Sequence, residues 1–235
     1  MFSFLSISTF LCLAQVITAQ TFGFNGQIFT RGLAIIDSPA PQSTLHAGSN
    51  VAIAVDISGD GNLPASAATP GSNDSTRFDS LEIYLFSYPQ SINLTISSGS
   101  DILAQENSST VKHINYNISS CVPAGQYNLS FYEVSHINNQ EYFIISAIPV
   151  EVQNDNKQGG CNSTNALATF PEPDNAPTQS PWLNSTAGAT SIAPNLPSPT
   201  PTGGDQSGAM VACVEVIGLI AGLMPAVYFL LGFST

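Results

Sequence analysis

Tyr127-Asn128-Leu129-Ser130-Phe131 places an apolar side chain at every second position and a polar one between. Successive side chains of an extended strand point to opposite faces, so this pattern gives one face to a core and the other to water. Pro123-Ala124-Gly125 stands directly before it as a turn. A tyrosine opening a strand after such a turn is either a corner tyrosine, whose hydroxyl ties back to the turn, or an ordinary core tyrosine.

The same alternation runs outward in both directions. Val51, Ile53, Val55 and Ile57 alternate with Ala52, Ala54 and Asp56. Leu81, Ile83 and Leu85 alternate with Glu82, Tyr84 and Phe86; Ile92, Leu94 and Ile96 with Asn93 and Thr95; Ile114, Tyr116 and Ile118 with Asn115 and Asn117. Residues 142–152 form a long apolar run that contains Pro149, which predicts an edge or kinked strand. No stretch of 28–152 carries a helical period. Six or seven strands with turns between them predict an all-β domain, an immunoglobulin/fibronectin-III-like β-sandwich over 20–155. The loop 58–80 is long and polar, a flexible or functional rim.

Seven Asn-x-Ser/Thr sequons occur, at Asn73, Asn93, Asn107, Asn117, Asn128, Asn162 and Asn184. Asn93, Asn117 and Asn128 fall on the polar phase of their strands. Glycans there would point to water, which agrees with the strand registers and with a secreted product. From 156 to 207 proline, serine and threonine dominate. So little of that can be buried that it reads as a disordered, O-glycosylated stalk.

The two ends supply the route. Residues 1–19 read as a signal peptide with Ala19 before the cut, although no positive charge precedes the apolar run. Residues 210–235 are apolar almost throughout, with Glu215 the one charged residue, and no lysine or arginine follows Lys157. Small residues at Ser207-Gly208-Ala209, and at Gly203-Gly204, precede that tail. This is the pattern of a removed glycosylphosphatidylinositol (GPI) signal over 208–235, with attachment at Ser207 or at Gly203 or Gly204. The expected location is extracellular, on the outer leaflet of the plasma membrane or in the cell wall, with the lipid anchor as the membrane partner. Cys12 and Cys213 leave with the two ends. Cys121 and Cys161 remain and are expected to form a disulfide.

Four basic residues against sixteen acidic ones give a formal charge of −12, which repels phosphate backbones and argues against nucleic acid as a partner. Ala47-Gly48-Ser49 before an alternating strand, and Val122-Pro123-Ala124-Gly125-Gln126-Tyr127-Asn128-Leu129 followed by Tyr142-Phe143-Ile144-Ile145, resemble the fungal Ser/Thr-rich GPI-anchored cell-wall proteins. The resemblance covers 33–152. It implies an N-terminal sandwich domain like that of the yeast β-1,6-glucan assembly factors, a structural or wall-organising role without catalysis, and cell-wall polysaccharide as a partner. Members often carry tryptophan on core strands, whereas the one tryptophan here, Trp182, lies in the stalk.

Candidate chemistry is sparse. Glu133 and Glu141 flank the expected hairpin turn 135–140, either as an acid/base pair for a glycan or as two solvated charges. Asp56-Ile57-Ser58-Gly59-Asp60-Gly61 begins like a calcium loop but has Ala67 at the twelfth position, so it reads as a turn. His46, His113 and His136 lack metal-ligand spacing. No metal, cofactor or catalytic residue is expected. The alternative functions are a wall-remodelling enzyme, which needs clustered carboxylates, and a glycan-binding or adhesion module. The latter needs exposed aromatics such as Tyr84, Phe86, Tyr88 and Tyr132 on one face.

Overall fold

The structure is a computed structural model that describes residues 21–105, 109–161, 164–167, 175–183 and 188–195. The signal segment 1–19, the sequons Asn107, Asn162 and Asn184, the anchor sites Ser207, Gly203 and Gly204, and the tail 208–235 lie outside the described residues.

Eleven strands are described: β1 (Thr21–Phe24), β2 (Gln27–Phe29), β3 (Ile35–Ser38), β4 (Thr44–His46), β5 (Asn50–Asp56), β6 (Arg77–Ser87), β7 (Ile92–Ser97), β8 (Val111–Asn117), β9 (Gly125–Ile137), β10 (Gln140–Gln153) and β11 (Thr190–Ile192). A 3-10 turn at Ala65–Ala68 and a short helix α1 (Ser100–Ala104) complete them. One sheet has the order β11-β1-β2-β3-β5-β8 and the other β4-β10-β9-β6-β7. The chain changes sheet after β3, β4, β5, β7, β8 and β10, and the crossings after β5, β7 and β8 link the central strands as in a Greek key. Strands β10-β9-β6-β7 take the places of G-F-C-C′ in an immunoglobulin-type sandwich, and β3-β5-β8 those of A-B-E. The expected sandwich is therefore present.

Alternation drives the packing. Leu81, Ile83 and Leu85 of β6, and Leu129 and Phe131 of β9, face Ile53 and Val55 of β5 across one continuous core. Tyr127 is fully buried, and its hydroxyl donates to Pro123 O at 2.8 Å, which makes it a corner tyrosine. Burial raises its pKa well above the usual phenol range. Ile114 and Tyr116, expected in the core, are only half-buried. The reason is that β8 ends its sheet, so its side chains have neighbours on one flank alone. The β9–β10 hairpin turns at Asn138 and Asn139, both at positive φ (53° and 66°), as a two-residue type I′ turn demands. Pro149 sits on β10 where only β9 pairs with it in register, and its carbonyl accepts from Gln42 N.

Cys121 and Cys161 are bonded, with Cα atoms 5.2 Å apart. Beyond Cys161 the expected stalk differs in its described parts, which lie against the sandwich. Asn165 N donates to Asn93 O on β7. Asn175 brackets Phe143 on β10, donating to its carbonyl and accepting from its amide. Leu183 is buried with Phe29 and Ile35 in a second small core that Phe22, Phe24 and Trp182 flank. Strand β11 pairs antiparallel with β1. The Asn165 contact caps β7, an outer strand of its sheet, the Asn175 contact covers β10 where β4 does not reach it, and β11 extends the other sheet, so the segment protects edges that would otherwise template association.

Candidate functional site

The outer face of the second sheet holds the most chemically suggestive surface. On β6 the inward phase is Leu81, Ile83 and Leu85, which leaves Glu82, Tyr84 and Phe86 outward. On β9 the inward phase is Leu129 and Phe131, which leaves Tyr132 outward. Antiparallel register then sets Glu82 opposite Tyr132, Tyr84 opposite Thr95, and Phe86 opposite Asn93. The rings of Tyr84 and Tyr132 meet edge to face at 5.2 Å, and Tyr132 lies 6.0 Å from Phe143. These four aromatics, with Glu82, Asn93, Thr95 and Asn165, line a groove of about 380 Å³, toward the small end of ligand-site volumes. All four rings are half-buried, so each keeps an accessible edge or face.

The polar groups are held in place. Tyr84 donates its hydroxyl to Glu82 Oε2 at 2.5 Å. Asn165 donates to Thr95 Oγ1 at 2.8 Å, and Asn93 donates to Ala166 O at 3.0 Å. Asn93 Oδ1 is buried without a protein partner. The arrangement offers apolar ring surface beside fixed donors and acceptors. That combination suits a ligand with an apolar C–H face and a hydroxyl rim. Tyr88 turns to Phe86, its ring centroid 4.4 Å away, and lies outside the groove lining.

The other sequence candidates resolve differently. Glu133 and Glu141 are not brought together. Glu133 faces inward and is buried, accepting from Leu33 N at 2.8 Å and Ala34 N at 3.1 Å. Burial pushes its carboxyl above the usual range, and those two N–H groups partly offset the rise. A Cβ at Gly32 would stand 2.4 Å from the Glu133 carboxylate, so glycine makes this docking possible. Glu141 is exposed, opposite His136 in the hairpin. Asp56 accepts from Ser58 N and Asp60 N, which closes a turn. His136 bridges Asp79 (2.6 Å) and Arg77 (3.3 Å). A guanidinium only donates, so Nε2 accepts and Nδ1–H donates to Asp79. His46 and His113 are exposed. Among the described residues no group of three His, Cys, Asp or Glu side chains is placed to hold a metal ion.

The sequons also divide. Asn73 and Asn117 are exposed, and Asn93 is half-buried in the groove. Asn128 was expected in water but is 6% exposed, because Asn195 covers it. Two things were missed in the sequence. Trp182 reaches back to donate Nε1–H to Leu33 O at 2.8 Å, and its ring lies on Gly59 where a Cβ would come within 2.6 Å. Asn165 completes the groove. The adjacent apolar pair Trp182-Leu183 inside a polar segment was the available signal for docking.

No family profile matches the chain, and no curated protein does. Among solved structures, it is similar to the fibronectin(III)-like modules of Clostridium thermocellum CbhA, at 18% identity and a TM-score of 0.29. That alignment covers 51% of this chain and 93% of the module.

Proposed function

We propose that this protein is a non-catalytic carbohydrate-binding module of a cell-surface glycoprotein, with its ligand in the Tyr84–Tyr132 groove. The observation that carries this reading is the cluster of Tyr84, Phe86, Tyr132 and Phe143 on one outer face beside Glu82, Asn93, Thr95 and Asn165. The faces of a pyranose expose C–H groups that stack on the electron-rich faces of aromatic rings, and its hydroxyls pair with fixed amides and carboxylates. Glu82 in the lining and the chain's charge of −12 favour a neutral sugar over an anionic one. A neutral cell-wall polysaccharide is the ligand class that fits.

The signal segment, the GPI tail, the exposed sequons and the disulfide support display outside the cell, in the manner of the wall proteins the sequence resembles. The burial of Glu133 away from Glu141 removes the one carboxylate pair that favoured an enzyme.

The test is a titration of the secreted protein with neutral wall oligosaccharides. Asn93 lines the groove and heads a sequon, so the Asn93→Gln chain is titrated beside the natural one. Saturable binding that Tyr84→Ala and Tyr132→Ala each weaken about tenfold or more supports the reading. Binding that both variants leave unchanged, or no binding by either the natural or the Asn93→Gln chain, overturns it.

A further inference from the structure

Asn128 opens a sequon, Asn128-Leu129-Ser130, yet its side chain is engaged on both atoms by the chain's own later segment. Its Oδ1 accepts from Asn195 N at 2.7 Å, and its Nδ2 donates to Asn195 O at 3.0 Å. Asn195 returns the contact through its own amide, donating to Tyr127 O at 2.8 Å and to Gln126 Oε1 at 3.2 Å. The Asn128 amide therefore reads the backbone of residue 195 as a neighbouring strand would, through one donor and one acceptor. Three residues earlier, β11 is paired with β1, so the two contacts hold 190–195 across the head.

We propose that Asn128 is the receptor for this segment, and that an N-glycan on Asn128 and the docked segment 190–195 exclude each other. A glycan bonds to Nδ2, and at 6% exposure a sugar on that atom has no way out while Asn195 is in place. Remove Asn195, and Asn128 stands on the outer face of β9, between Phe86 of β6 and Pro149 of β10. The order of synthesis matters as well. Asn128 precedes Asn195 by 67 residues, so in a secreted chain its sequon meets the glycosylation machinery before its cover exists. Occupancy of this one amide then sets whether 190–195 lies on the head or hangs free with the β1 edge bare.

The experiment compares the natural chain, Ser130→Ala and Asn195→Pro, all secreted from a eukaryotic host. Asn128 occupancy is read by peptide mapping, and hydrogen exchange of 190–195 by mass spectrometry on the same samples. Ser130→Ala removes the sequon and keeps the receptor; its 190–195 amides exchange as one slow population. Asn195→Pro removes the N–H that Asn128 Oδ1 accepts and the side-chain amide that holds Tyr127 O and Gln126 Oε1. Its remaining amides in the segment exchange at least about a hundredfold faster, and its Asn128 occupancy exceeds that of the natural chain, or equals it where the natural chain is already fully occupied. In the natural chain the fast-exchanging fraction equals the occupied fraction, including the case where both are zero. Slow exchange in molecules glycosylated at Asn128 overturns the exclusion. So does an Asn128 that stays unoccupied in Asn195→Pro. Fast exchange in Ser130→Ala equal to that of Asn195→Pro overturns the receptor.

Discussion

Single residues carry the clearest physical consequences. Glu133 has its carboxyl raised by burial, so the native state holds its proton more tightly than the unfolded chain, whose value is about 4.3. Its stabilising contribution is complete below that pH and is lost as pH rises through the raised native value. Thermal melts of the natural chain should therefore fall, relative to Glu133→Gln, as pH rises above about 4. Parallel curves for the two chains would show that the site is not titrating as the burial implies. Phe131 gives a plainer test. It is 1% exposed in the main core, so Phe131→Ala should cost about 3–5 kcal/mol in a denaturant titration. That is comparable to the whole stability of a modest domain. A cost below 1 kcal/mol would place Phe131 outside the core.

At the level of elements, the disulfide and the C-terminal segment do related work. Cys121 and Cys161 close a loop with a sequence separation of 40, which in the chain-entropy account stabilises by about 4 kcal/mol. Reduction should lower the denaturant midpoint accordingly, and loosen the Asn165 contact that walls the groove. An unchanged midpoint would contradict this. The long strands were legible because both of their faces are specified. Tyr127, Leu129 and Phe131 fixed the β9 register, and Leu81, Ile83 and Leu85 that of β6. The short strands β1 to β4 were not. Three or four residues are too few for a period, and the Asn25-Gly26 turn between β1 and β2 lies before the point where alternation becomes readable. Strand β11 and the clips at Asn165, Asn175 and Asn195 were unreadable for another reason. They dock through backbone groups and asparagine amides, which leave no hydrophobic pattern. The four aromatics of the groove were only partly legible. Alternation set Tyr84, Phe86 and Tyr132 outward, but β7, β10 and residue 165 join them only through sheet order.

For the whole molecule, two sheets close a core while a polar tail straps their edges and borders a groove on the outer face. Trp182 anchors the strap beside Leu183, through its ring on Gly59 and its bond to Leu33 O. Trp182→Ala should cost about 3 kcal/mol, the low end for an aromatic that is only partly buried. It should also speed proteolysis within 175–195; an unaltered cleavage rate would mean that the strap is held elsewhere. The central claim is that carbohydrate seats on the aromatic groove. Hydroxyl-radical footprinting of the secreted chain, with and without a saturating neutral wall oligosaccharide, tests it most directly. The account predicts that Tyr84, Phe86, Tyr132 and Phe143 lose oxidation when sugar is bound, while Phe22 and Tyr142 are unchanged. Protection that falls on Phe22 and Tyr142, with the four groove rings oxidised as before, would contradict it.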